Sequence, residues 1–369
     1  MRRLTVLITN WTLHGRHGSV LYIRDLALGL LRAGARPVVY SPESGEIVHE
    51  LTTATVPVIH DLNHLADAPD IIHTNSGADG LMALMHFPQT PAVCVSHAWN
   101  NPLTVPLQLR RVRRFVAVDD TCRDDLTARH GIPSHRVEVH QNGVDLQRFR
   151  PRPPLPPRPR NALIFSNYAA ADGYALAVSQ GCAAAGIALT VVGECMGTQT
   201  ATPETVLPNY DVIFAKGRAA TEAVAVGCAV ILCDTAGFGG LVTSQNWQAL
   251  RRLNFGRRSL QQPATAARVQ EALSQYDAVD AGIVAESVRR EADVTVKVAD
   301  LLALYETVIA EYLSDDDKDL ELRAMADSLQ LFLPYISGLE RGAGDDRRRH
   351  RIIRDQLITL QELMRARAS

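Results

Sequence analysis

The chain has 369 residues, which at about 100–200 residues per domain means about two domains and excludes a single small binding module. It is 46% hydrophobic and 21% charged, with Lys+Arg 38 against Asp+Glu 40 and a net charge of −2. That balance is globular and gives no field for nucleic acid, and no uncharged apolar run reaches the roughly 18 residues of a membrane span. The opening MRRLTVLITNW is read as a first buried strand and not a secretory leader, so a cytoplasmic location is expected, with any membrane contact peripheral. Six cysteines without C-x-x-C spacing are expected to be buried thiols.

Short β-branched runs alternate with helical patterns from the start. LTVLI (4–8) is followed by SVLYIRDLALGLLRAG and PVVYS (37–41), which predicts βαβ units around a parallel sheet. In the first helix Val20, Ile23, Leu26, Ala27, Leu30 and Leu31 form one apolar stripe, Arg24 and Arg32 mark the other face, and Gly34 is the stop. Further strands are expected at DIIHTN (70–75), AVCVSHA (92–98), RFVAVDD (114–120) and RVEVHQNGVD (136–145). The proline-rich RPRPPLPPRPR (150–160) reads as a linker. The pattern then restarts with strands at 161–167, 187–194, 210–217 and 229–234 and a helix over 219–226. From about Val296 the chain reads as helical to its end.

Chemistry is expected where loops leave the carboxyl ends of parallel strands. Gly15 and Gly18 precede the first helix, where backbone can approach a ligand and unpaired N–H groups attract an acceptor oxygen; ordinary turn glycines are the alternative. The GRHGS spacing matches neither a dinucleotide fingerprint nor a P-loop. His97, ending AVCVSHA, can hydrogen-bond a sugar hydroxyl or move a proton, or be a satisfied structural histidine; His73 in IIHTN is the weaker candidate. In YDVIFAKGRAATEAVAVGCAVILCD, Lys216, Gly217 and Arg218 put two cations at a helix start, suited to a diphosphate. Glu222 is either a ligand or the i,i+4 surface partner of Arg218. Gly237, Gly239 and Gly240 follow the next strand as a second place for backbone to close on a ligand.

With those residues in view, the chain resembles the GT-B glycosyltransferases of the family 4 type. The hinge stretch GIPSHRVEVHQNGVDLQRFRP matches through Asn142, Gly143, Val144, Asp145, Phe149 and Pro151, and the run Glu222, Ala223, Ala225, Gly227, Ala229, Val230, Ile231 matches the family's E-A-x-A-x-G-x-A-V-I pattern. The resemblance covers roughly residues 1–312. It implies an α/β protein of two Rossmann-like domains facing a cleft, an acceptor domain over 1–152 and a nucleotide-sugar donor domain over 153–312, with a helical extension over 313–369. It further implies that Glu222 contacts the donor ribose and that His97 lies near the transferred sugar, with the donor also meeting Ser166 and Asn167. Two departures stand out: the acidic residue expected eight positions before Glu222 is Phe214, and the loop SNYAAADG (166–173) lacks the family's basic residues.

The expected activity is transfer of a sugar from a nucleotide-diphosphate sugar to a glycan, lipid-linked or small-molecule acceptor, retaining and without a metal or cofactor. A non-catalytic nucleotide- or glycan-binding subunit working through its helical tail is the alternative. No D-x-D carboxylate pair sits at a strand end, so no metal site is expected. Leu357, Leu360, Leu363 and Met364 form a narrow apolar stripe in the tail. It is expected to pair with a second copy of the chain, with packing on its own body or a membrane surface as alternatives.

Overall fold

The computed structural model describes residues 3–75, 77–98, 105–170, 173–312, 321–330 and 332. The chain divides into two compact units, unit 1 from residues 1–117, 122–139 and 300–369, and unit 2 from residues 118–121 and 140–299. No helix among the described residues is long and apolar enough to cross a membrane.

Unit 1 runs β1 (Thr5–Thr9), α1 (Gly18–Arg32), β2 (Arg36–Tyr40), α2 (Ile47–Thr53), β3 (Val58–Ile59), β4 (Ile71–Thr74), α3 (Gly77–His86), β5 (Ala92–Ser96), β6 (Val112–Ala117), the start of α4 (Asp120–Asp124) at its boundary, and β7 (Val137–Val139). The strands form one parallel sheet in the order β3-β2-β1-β4-β5-β6-β7. Val6, Leu7 and Ile8 are fully buried in central β1, as a strand covered on both faces requires. The α1 stripe is buried from Val20 to Leu30, Leu31 is partly exposed, and Gly34 ends the helix at φ +87. Arg24 is not on a solvent face: it is buried, with Nη2 2.7 Å from Asp25 Oδ1 and Nη1 3.2 Å from Glu50 Oε2.

Unit 2 runs β8 (Asn161–Phe165), α5 (Tyr174–Ala184), β9 (Ala188–Val192), α6 (Pro203–Val206), β10 (Val212–Ala215), α7 (Gly217–Val226), β11 (Ala229–Asp234), β12 (Gly237–Leu241), α8 (Trp247–Arg252), α9 (Ala266–Ser274), α10 (Ala278–Glu291) and the start of α11 (Val294–Glu311). The sheet order is β12-β11-β10-β8-β9, all parallel except β12. Strand residues alternate between two cores. Leu163, Ile213, Val230 and Leu232 join α7 and α10 on one face, while Ala162, Ile164, Phe214 and Ile231 join α5 and α9 on the other.

The division falls near residue 140, not at 152, because the proline-rich segment is pinned to unit 2. Arg152 donates its N–H to Val226 O at 2.8 Å and pairs with Asp211 at 3.1 Å, Leu155 is buried, and Tyr276 Oη donates to Pro156 O at 2.8 Å. The Asn-Gly-Val-Asp motif is likewise an anchor. Gly143 leaves no room for a Cβ, which would stand 2.8 Å from Val294 Cα, and Val144 exchanges backbone hydrogen bonds with Ala292 and Val294. Asp145 Oδ1 accepts from the N–H groups of Gln147 and Arg148, and buried Arg251 donates Nη2–H to Asn142 O at 2.6 Å.

Five of the six cysteines are buried, and Cys195 is exposed. In the tail, the helix over 321–330 packs on unit 1: Glu321 accepts from Arg111 Nε at 2.9 Å, and Met325, Leu329 and Phe332 are buried. That part of the extension covers its apolar side on its own chain. The stripe from Leu357 to Met364, and with it the expected pairing of chains, lies outside the described residues.

Arg251→Met leaves Asn142 O and Asn254 Oδ1 without their buried donor. The expected loss is about 3 kcal/mol of unfolding free energy, read as a lower urea midpoint at unchanged slope.

Candidate functional site

In unit 2 the chain leaves β8 for β9 on one side, then crosses back to β10 on the other, so the carboxyl ends of β8 and β10 form the topological switch point where α/β sheets open a crevice. Ser166 and Asn167 follow β8, Lys216 follows β10, and Asp234 ends β11. Asp234 is only 1% exposed and gathers the others. Its Oδ2 accepts from Ser166 Oγ at 3.1 Å, and its Oδ1 accepts from Thr235 Oγ1 at 2.7 Å and stands 3.3 Å from Lys216 Nζ. The Lys216 ammonium also lies 5.2 Å from the Tyr168 ring centroid, where the ring's negative face attracts a cation. Asn167 Oδ1 accepts from Glu194 N at 3.3 Å, and a Cβ on Gly193 would stand 1.9 Å from Ser166 O, so the loop after β9 closes on the loop after β8 only because residue 193 is glycine.

The helix start differs from its sequence reading. Gly217 adopts φ +58 and spends its N–H on Phe255 O at 2.8 Å, so that donor is not open to a ligand. Arg218 Nε donates to Glu222 Oε1 at 2.7 Å, with Glu222 4% exposed. The i,i+4 pair is therefore formed, buried against the Ala/Val helix and not on the surface. Both cations at the turn have carboxylate partners. Gly239 and Gly240 lie within strand β12, not in a loop: a Cβ on Gly239 would stand 2.5 Å from Ser259 O, so its role is close backbone packing, while Gly240 holds φ +81 beside open space. Phe214 is fully buried in the α5/α9 core, where a carboxylate would have no water.

In unit 1 the corresponding switch point lies between β1 and β4. Asn75, just after β4, donates Nδ2–H to Thr9 O at 3.0 Å, so its Oδ1 accepts from His97 Nε2 at 2.8 Å. The hydrogen-bond network thus assigns the proton to Nε2 and leaves Nδ1 of His97 as an acceptor. The His97 ring meets the edge of Tyr22 at 4.5 Å between centroids. Tyr22 Oη lies 3.4 Å from His73 Nε2, and Tyr305 Oη on α11 lies 2.5 Å from His73 Nδ1. Burial pushes the His97 imidazole down to about 4, because nothing there compensates a buried positive charge, and it raises the Tyr22 and Tyr305 phenols. His97 is therefore neutral at pH 7.

The glycine loop is partly spoken for. Gly15 holds φ +74 and gives its N–H to Glu46 Oε2 at 2.6 Å, so a carboxylate of the chain occupies the donor expected to face a ligand. Gly18 opens α1 with nothing near a Cβ position.

Sequence reasoning missed Asp234, Asn75, Tyr22 and Tyr305. Only Asp234 and Asn75 carried a signal, as polar residues at or just past the ends of apolar strand runs.

Residues 16–148 match Glycosyltransferase Family 4. No curated protein matches the chain. Among solved structures, a glycosyltransferase from Rickettsia africae ESF-5 aligns with 85% of this chain and 100% of its own at a TM-score of 0.62 and 14% identity. HepE from Anabaena, solved with UDP and glucose, aligns with 83% of this chain and 100% of its own at 0.59 and 13%. The lipopolysaccharide outer core galactosyltransferase WaaB aligns with 82% and 100% at 0.51 and 12%. At such identities the likeness is one of fold.

Two measurements check the site. Phe214→Glu restores the family's acidic spacing but buries an unpaired carboxylate, and should cost at least about 3 kcal/mol in chemical denaturation. For His97, the folded value lies below the unfolded one, so between about pH 6.5 and about pH 4 the unfolded chain binds a proton that the folded site refuses. Stability should fall as pH drops through that window, by up to about 3 kcal/mol, while above it this contribution is flat. NMR of the His97 ring should show no titration above pH 5, and His97→Gln should flatten the acid limb.

Proposed function

We propose that the chain, whose residues 16–148 match Glycosyltransferase Family 4, is a GT-B-type glycosyltransferase that transfers a sugar from a nucleotide-diphosphate sugar to a hydroxyl of a glycan, lipid-linked or small-molecule acceptor. The observation that carries this reading is the cluster of Ser166, Lys216 and Asp234 at the unit 2 switch point. Lys216 and the start of α7 meet the diphosphate, and Ser166 and Asn167 supply polar groups beside it. Glu222, whose carboxylate pairs with Arg218, is assigned to the donor ribose.

In the reaction the bond between the anomeric carbon and the diphosphate oxygen breaks, and the nucleoside diphosphate leaves with the electron pair. The acceptor oxygen bonds the anomeric carbon on the face the leaving group vacates and passes its proton to the departing diphosphate oxygen. Charge develops on the leaving diphosphate, so an ammonium and a helix N-terminus aimed at it favour the transition state without a metal. Neutral His97, with Nδ1 as acceptor, is suited to take a hydrogen bond from a sugar hydroxyl. The UDP and glucose bound by HepE, a protein of similar fold, favour a nucleotide-sugar donor.

Calorimetry with UDP, GDP, ADP and TDP tests the reading. One nucleotide should bind, and Lys216→Ala should weaken it at least about tenfold, since a charge-assisted phosphate contact is worth about 1.5–3 kcal/mol. Unchanged affinity in that variant would remove the donor from this turn.

A further inference from the structure

The amino ends of β6 and β7 gather arginines at the edge of the unit 1 sheet, away from the carboxyl ends where His97 and Asn75 lie. Val112 pairs with Ala92 and Arg114 with Val93, so Arg113 is an extra residue in the ladder. A bulge of that kind re-aims side chains, and both arginines reach the carboxyl end of α11. Arg114 Nη2 donates to Glu311 Oε1 at 2.7 Å, and its Nε stands 3.8 Å from Glu138 Oε1 on β7. The Arg113 guanidinium lies 6.0 Å from the centroid of the Tyr312 ring. Arg136, just before β7, crosses the same end. Its Nη2 donates to Val112 O and its Nε to Arg113 O at 3.4 Å, with the guanidinium 5.2 Å from the Phe115 ring centroid.

Carboxylates match only one of these cations. Glu311 and Glu138 both face Arg114. Among the described residues neither Arg113 nor Arg136 has an ion pair, and Arg113 Nε is buried without a hydrogen-bond partner. Burial, and then the charges of Arg113 and Arg114, hold the Arg136 guanidinium below its ordinary range, so the like charges are near enough to repel. An anion between Arg113 and Arg136 would relieve that repulsion. A carboxylate or phosphodiester brings one negative charge, whereas a phosphate monoester brings about −1.5 to −2 at pH 7. Its tetrahedral oxygens also suit the paired N–H groups of a guanidinium.

We propose that Arg113 and Arg136 form a site for a phosphomonoester dianion. β6 has 6 residues and so spans about 16 Å, which sets this site at the opposite end of the sheet from His97 and makes it independent of the proposed function. The phosphate is carried either by a soluble molecule or by a lipid headgroup.

The test is calorimetry on the full chain with inorganic phosphate, glycerol 3-phosphate and dimethyl phosphate, for wild type, Arg113→Gln and Arg113→Lys. The two dianions should bind, at least about tenfold more weakly to Arg113→Gln, and Arg113→Lys should recover part of the loss because it keeps the charge but not the fork. Dimethyl phosphate, a monoanion, should bind more weakly than either. Without phosphate, Arg113→Gln should melt no lower than wild type, since it removes a repelled charge, and added phosphate should raise the melting temperature of wild type alone. Sedimentation of wild type, but not Arg113→Gln, with phosphatidylcholine vesicles containing phosphatidate identifies a lipid headgroup as the source. Phosphate binding in solution without such sedimentation identifies a soluble one. No phosphate binding, equal affinity in Arg113→Gln, or dimethyl phosphate binding as tightly as the dianions would overturn the proposal. So would phosphate binding that is lost in Lys216→Ala and kept in Arg113→Gln, which would move the anion to unit 2.

Discussion

A carboxylate buried at the end of a strand has to be paid for by its neighbours, and Asp234 is the group whose needs organise unit 2. Removed from water, its charge is tolerable only with a cation and hydrogen-bond donors in reach. Those come from the loop after β8 (Ser166), the turn after β10 (Lys216) and the next residue (Thr235). Three adjacent strand ends are thereby tied to one point, and the crevice that the sheet topology opens is given fixed walls. The same pairing leaves the Lys216 ammonium partly neutralised, so the crevice presents a dipolar site and not a bare positive one.

Unit 1 solves the opposite problem. Its switch point is held by Asn75, His97, Tyr22, His73 and Tyr305, linked ring to ring and ring to amide. Burial keeps His97 uncharged, and the orientation of Asn75 decides which ring nitrogen accepts. A neutral imidazole with one acceptor face is fit for reading a hydroxyl and unfit for holding a phosphate. The strand ends of the two units thus differ in polarity, charged in unit 2 and uncharged at His97 in unit 1.

The motif on which the family resemblance chiefly rests does mechanical work. Asn142 to Asp145 fasten the chain to the joint between α10 and α11: Gly143 permits contact with Val294, and Asp145 caps the turn that delivers Phe149 into the core. The proline-rich stretch that follows looks like a linker because proline forbids helix and ladder, yet its arginine and its carbonyls are bound by unit 2. Proline content restricts backbone conformation; it says nothing about whether a surface waits for the segment.

Period-two and period-3.6 patterns are local, and the sequence by itself determined almost every strand of both parallel sheets, the first helix and its glycine stop, and the placement of Ser166, Asn167, Lys216 and His97 at strand ends. It also exposed the departure at Phe214. What it left to the tertiary structure were the partners. Ser166 and Asp234 are separated by 68 positions and His73 and Tyr305 by 232, and only the order of strands in each sheet brings them within bonding distance. Whether Arg218 and Glu222 pair in water or in a core, and whether Gly15 offers its N–H to a ligand or to Glu46, depended likewise on what packs against them. Local pattern fixes which face a residue joins; charge state, hydrogen-bond direction and cavity shape arise between segments, where only the folded chain supplies the other half of each contact.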